Sequence, residues 1–282
     1  MSPWSTTRFL LFLACALAAV LAPLPAAADL MLHPTRVVLE KNQRAAQVEL
    51  INSGTETTTY RISIVNRRMG EAGEFSAIDT ARPGEQFADE MLRFSPRQVT
   101  IPPSGGQTVR ILLRKPPDLP AGEYRSHMQI DRVGTPADGV RVAGAPPGPG
   151  EVGVQLTVLV GVSIPLIVRQ GETTATLALS GLELLKPTPG DPPVIAAVMQ
   201  RSGNRSVYGD LTVSFTPAGG AAVPVGKAAG VAVYTPNTVR RVKLALQPPA
   251  GLPLSRGTLR LAFMQRPEEG GKQLAETSVQ LP

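Results

Sequence analysis

Residues 152–168, VGVQLTVLVGVSIPLIV, carry an apolar side chain at every second position, from Val152 through Val154, Leu156, Val158, Val160, Val162, Ile164 and Leu166 to Val168. A period of two sends successive side chains to opposite faces of an extended chain, so the stretch predicts a β-strand with one apolar row. The other row is lighter and mixed, with Gly153, Gln155, Thr157, Gly161, Ser163 and Pro165 among its members. Such a strand is longer than the usual five or six or so residues. It is either a long core strand, or a strand that outlasts its own sheet and offers its surplus surface to something else.

The rest of the chain reads as short strands and turns. Candidate strands fall at 36–39, 46–51, 57–65, 91–96, 98–101, 108–113 and 123–130, with turn signals at Asn52-Ser53-Gly54 and around Gly105-Gly106. Residues 66–85 are rich in charge and glycine and read as a loop, and 134–150 as a Gly/Pro/Ala-rich connection. Beyond Arg169 the theme repeats, at 174–184, 194–199, 209–215, 223–233, 239–246 and 259–263. With 27 glycines, 28 prolines and no extended helical periodicity, the expected fold is all-β. It comprises two immunoglobulin-like β-sandwich domains in tandem, 29–168 and 169–282.

Residues 1–28 are set apart. Arg8, an apolar run over 9–21 and Ala26-Ala27-Ala28 before Asp29 make up the pattern of a secretory signal peptide. The apolar run is too short for a membrane span, and no later segment is apolar enough for a spanning helix. The only cysteine, Cys15, falls inside that run, so a processed chain would have neither disulfides nor thiol chemistry. The chain carries 28 Lys and Arg against 22 Asp and Glu, a formal charge of +6. Aromatics make up only 4% and do not interleave with basic runs, which argues against nucleic-acid binding.

Several segments, in order and spacing, resemble the periplasmic pilus (fimbrial) assembly chaperones of the PapD-like superfamily. They are LHPTRVVLE at 32–40, AQVELINSG at 46–54, SPRQVTIPPSGGQTVRI at 95–111, LPAGEYRSHMQI at 119–130, the alternating strand ending in Arg169, and RSGNRSVYGDLTV at 201–213. The resemblance implies two immunoglobulin-like domains in an L-shaped arrangement, with the subunit-binding cleft between them. It also implies donor-strand complementation, in which the chaperone lends a strand to a pilin-like exported subunit whose own core is open. If Arg169 matches the arginine that ends the family's donor strand, the groove-filling residues are Leu156, Val158 and Val160.

The family anchors the subunit's terminal carboxylate with an arginine and a lysine. Arg36, in Pro34-Thr35-Arg36, matches the arginine, and a guanidinium suits a carboxylate because its fork binds it bidentately. Pro165 stands where the lysine is expected, and Arg125 is the candidate replacement. On 123–130 the residues Glu123, Arg125, His127 and Gln129 share one face, which either lines the cleft or is simply solvated. Glu123 and Arg169 match two members of an ionic cluster that sets the angle between the family's domains. The acidic member from the second domain has no clear counterpart, since Leu254-Ser255-Arg256-Gly257 offers no carboxylate.

An enzyme is not expected. Only His33 and His127 are available as bases, and no nucleophile elbow, phosphate-cradling loop or metal-spaced carboxylate motif is present. No cofactor and no metal are expected. The resemblance implies a periplasmic protein, pilin-like partners and an outer-membrane usher that receives the complex. The competing reading is an exported structural or adhesive component of a surface fibre.

Overall fold

The structure, a computed structural model, describes residues 30–78, 80–134, 161–185 and 191–282. Residues 1–28, the 135–150 connection and the front half of the alternating stretch, with Leu156, Val158 and Val160, lie outside the described residues.

The first sandwich is built from β1 (Leu30–His33), β2 (Val37–Leu39), β3 (Ala45–Asn52), β4 (Thr58–Val65), β7 (Leu92–Ser95), β8 (Gln98–Ile101), β9 (Gly106–Leu113), β10 (Gly122–Arg132) and β11 (Gly161–Gln170). One sheet has the order β1-β3-β9-β7 and the other β2-β11-β10-β4-β8. The chain changes sheets between β1 and β2, because β1 pairs with β3 while β2 runs parallel to β11. Alternation does the packing. Tyr124, Met128 and Ile130 of β10 and Ile164, Leu166 and Val168 of β11 join Val48, Leu50, Val109 and Ile111 in one buried cluster.

A second sandwich follows. It pairs the sheet β12-β13-β16 with the sheet β15-β14-β17-β18, where β12 is Ala175–Leu185, β13 Val194–Gly203, β14 Val207–Pro217, β15 Val223–Val233, β16 Val239–Ala245, β17 Gly257–Gln265 and β18 Gln273–Leu281. Its core centres on Phe215, Phe263, Leu259, Leu261, Ile195 and Met199. Both regions are therefore sandwiches, antiparallel apart from the β2–β11 pair, in which inward residues alternate with outward ones, and the all-β reading holds.

The 66–85 segment is not a featureless loop. Arg67–Met69 (β5) and Phe75–Ala77 (β6) form an antiparallel hairpin, and Gly73 in its turn has φ 93°, the left-handed region that glycine enters without strain. Charge and glycine concealed a short hairpin because neither strand is long enough to show alternation. The hairpin reaches the second sandwich, where Asn237 Nδ2 donates to the Met69 carbonyl at 2.8 Å and the Arg241 amide to the Glu71 carbonyl at 2.6 Å.

An apolar cluster and a buried carboxylate also join the sandwiches. Met69 and Ile167 pack with Ala232 and Tyr234 in a small apolar cluster of their own. Beside it lies Glu123, whose side chain is fully buried. Its carboxylate accepts from Arg169 Nε at 3.1 Å, from the Ser206 amide at 3.3 Å and from the Ser206 hydroxyl. Ser206 Oγ in turn accepts from the Thr235 amide at 2.9 Å. Arg169 reaches Glu40 at 2.9 Å with Nη1, and this bond holds the Glu40 carboxyl below its ordinary range. The second domain thus contributes the hydroxyl and amide of Ser206 where an acidic side chain was sought.

Removing one partner of a buried pair leaves the other charge uncompensated. Glu123→Ala should lower unfolding free energy by about 3–5 kcal/mol in urea titration. Glu40→Ala, whose side chain is 41% exposed, should cost about 1 kcal/mol or less.

Candidate functional site

The face of β10 opposite the first core turns toward the second domain. Glu123, Arg125 and His127 are 1%, 6% and 2% exposed, so this is not a solvated strand face. Alternation along β10 puts all three on one side, and the hairpin and Tyr234, just after β15, cover them.

Arg125 lies with its guanidinium carbon 4.3 Å from the centre of the Tyr234 ring and 5.9 Å from that of Phe75. Its Nη2 donates to the Arg67 carbonyl at 3.1 Å, while Nε and Nη1 are buried without a hydrogen-bond partner among the described residues. Burial pulls its pKa down, with Tyr234, Glu123 and Glu85 opposing, yet an arginine keeps its charge in such surroundings. No carboxylate among the described residues forms an ion pair with it.

Arg36, just before β2, is placed differently. Its Nη1 holds Glu269 Oε1 at 2.6 Å, and its guanidinium carbon lies 4.4 Å from the Tyr208 ring centre. Nε and Nη2 remain buried without partners among the described residues. Arg36 thus lies against Tyr208 and Arg125 against Tyr234. Burial raises the pKa of the Tyr234 phenol, and the charges of Arg36 and Arg125 oppose the rise. The structure gives Arg36 a carboxylate from its own chain.

β11 supplies the cleft's third feature. It pairs with β10 from Gly161 to Gln170, but with β2 only over Leu166–Val168. Among the described residues, 161–165 therefore have an unpaired edge. Pro165, which cannot donate to a ladder, sits within this edge, where prolines are tolerated.

Beside that edge is a cavity of about 220 Å³ lined by Arg67, Phe75, His127, Gln129, Gly161, Ser163, Pro165 and Tyr234. The His127 ring meets Phe75 edge-on, with centroids 5.1 Å apart. Neither of its nitrogens has a hydrogen-bond partner among the described residues, and the Ser163 hydroxyl also lacks one. Burial drives the His127 pKa down to about 3, with the charges of Arg125 and Arg67 adding to the effect, so the ring is neutral near pH 7. No cluster of potential metal ligands occurs among the described residues.

Sequence reasoning did not find the hairpin residues Arg67 and Phe75, nor Ser206, Tyr208, Tyr234 and Glu269. The one local hint of the hairpin is the glycine-bearing turn between 67–69 and 75–77, since three-residue strands show no alternation. Nothing local marks Glu269 as the partner of a residue 233 positions earlier.

No protein-family model and no curated protein sequence matches the chain. Among solved structures it is similar to the YadV chaperone, at 14% identity and a TM-score of 0.45 over 90% of this chain and 100% of that one. It is also similar to the CupB2 chaperone of Pseudomonas aeruginosa, at 13% identity and a TM-score of 0.44 over 89% and 100%. A third is the CsuC–CsuE chaperone–tip adhesion subunit pre-assembly complex of Acinetobacter baumannii, at 14% identity and a TM-score of 0.42 over 90% and 98%. Identities and scores this low do not transfer a role, which has to come from the cleft's own residues.

Folding lowers the proton affinity of His127 from its ordinary pKa of 6.5 to about 3. The unfolded chain then binds the extra proton, so stability falls as pH drops from about 6.5 toward 3, by about 1.4 kcal/mol per unit. Urea titrations across that range should show a shallower acid-side loss for His127→Phe than for the unaltered protein.

Proposed function

We propose that the protein is a periplasmic chaperone that holds pilin-like exported subunits by strand addition and delivers them for pilus assembly. The observation that carries this reading is the unpaired 161–165 edge of β11 running into a cleft where Arg125 is buried with two free guanidinium nitrogens. An open strand edge pairs with another chain's backbone, and a buried cation without a counter-ion calls for an anion at that chain's end.

In this mechanism the partner's edge strand pairs along β11. Leu156, Val158 and Val160, the apolar row of the alternating sequence that precedes the described residues, are the side chains proposed to fill the groove of a subunit lacking a strand. Burying each of these contributes roughly 1.5–3 kcal/mol before the costs of association. The partner's terminal carboxylate enters the cleft, where Arg125 and Arg36 are the anchoring cations, and so fixes the register of pairing. Glu123 and Arg169 hold the two domains in the orientation that forms the cleft. Export through residues 1–28 places the protein in the periplasm, and an outer-membrane usher receives the loaded complex. No step calls for catalysis.

Co-expression with a pilin-like exported subunit tests the proposal. A soluble one-to-one complex is expected, whereas a fibre component would polymerise. Val158→Asp should abolish co-purification. Arg125→Ala, which removes hydrogen bonds to a charged group, should weaken the complex about 10- to 100-fold. Unchanged affinity in both variants would overturn the assignment.

A further inference from the structure

The buried Glu123 carboxylate ties the sandwiches beside the short crossing from β11 to β12, since Arg169 of β11 shares it with Ser206. A contact next to the crossing point resists separation well and rotation poorly, because it has little lever arm. The hairpin of β5 and β6 grips the second domain elsewhere. β16 ends the sheet β12-β13-β16, so one of its edges is open among the described residues. The Arg241 amide on β16 donates to the Glu71 carbonyl at 2.6 Å. Asn237 Nδ2, just before β16, donates to the Met69 carbonyl at 2.8 Å. The tip of a first-domain hairpin thus bonds to the backbone of a second-domain edge strand. Under the turn lies Arg240, whose Nη1 donates to the Ala232 carbonyl at 2.5 Å, and a Cβ at Gly73 would collide with its guanidinium.

The hairpin is also fixed to its own domain. Arg68 holds the Glu85 carboxylate with Nε at 2.6 Å and Nη2 at 2.8 Å, and Arg125 Nη2 donates to the Arg67 carbonyl. Left to itself the hairpin would not keep this shape. Its strands have three residues each, all of β6 is exposed, and an isolated two-stranded hairpin is only marginally stable in water. Its order comes from being held at both ends, and an element held at both ends holds the two bodies it joins.

We infer that the hairpin is an interdomain strap, a second tie independent of Glu123 that fixes how the sandwiches are rotated relative to one another. Its grip is the Arg241 amide and the Asn237 side chain. The Arg241–Glu71 ion pair, with side chains 66% and 61% exposed, contributes little. Arg67 and Phe75 of the same hairpin line the cavity at the β11 edge, so the strap positions that wall as well. This tie is a property of the free chain and does not depend on what the cleft binds.

Arg241→Pro removes the amide on the open edge and spares the β13–β16 ladder, because proline is tolerated where an N–H faces off a sheet edge. Arg241→Ala keeps the amide and loses only the ion pair. Residual dipolar couplings from both sandwiches of the full chain should fit one alignment tensor in the unaltered protein and in Arg241→Ala. In the double variant Asn237→Ala/Arg241→Pro they should need two tensors, or one with the domains rotated. The Gly70 and Gly73 amides, which bond within the hairpin, should then exchange with solvent about five-fold faster or more. The amides of Val109 and Leu261, in the two cores, should exchange as before. A common, unchanged tensor in the double variant would overturn the strap. Equal exchange at Gly70 and Gly73 in Arg241→Pro and Arg241→Ala would overturn the Arg241 grip. If faster exchange at Leu261 shows that proline disturbs the second core, Asn237→Ala alone decides, and unchanged exchange at Gly70 and Gly73 there would sink the idea.

Discussion

A carboxylate with no exposed surface stays in a fold only if donors surround it, and Glu123 is such a carboxylate. Arg169 approaches it from the same sheet and Ser206 from the other domain, by hydroxyl and amide together. The position of Ser206 is itself fixed by the Thr235 amide. Residues that are remote in the chain must therefore be placed together before Glu123 is satisfied. The cleft faces of β10 and β11 exist in their observed form because this carboxylate is shared across the junction.

Around it the cleft divides its charges unevenly. Arg169 shares two carboxylates, and Arg36 has Glu269, while the hydrogen-bond partners of Arg125 and Arg67 among the described residues are neutral. Aromatic faces compensate in part: Tyr234 lies under Arg125 and Tyr208 under Arg36. The 161–165 edge of β11, unpaired among the described residues, borders the cavity lined by Arg67, His127 and Ser163.

Much of the fold was legible in the chain because β-structure writes itself locally. The alternation Ile164, Leu166, Val168 is the core row of β11, and Tyr124, Met128 and Ile130 mark the core row of β10. That assignment leaves Arg125 and His127 on the opposite side without further information. Whether that side was wet or buried was not legible, since a polar row looks the same in either case. The 66–85 segment was misread as a loop for a related reason: strands of three residues carry too little alternation to be seen.

By itself, then, the sequence determined the all-β architecture and the two successive sandwiches. Periodicity and turn chemistry act over a few residues, and the chain displays them directly. Only the tertiary structure decided which charges are spent and which are free. Arg36 is engaged by a residue 233 positions away, and Glu123 is completed by one 83 positions away. Arg67 enters the cleft on a hairpin anchored to Asn237. Such pairings depend on how two sandwiches meet. The distances that settle them exist only once both cores have packed.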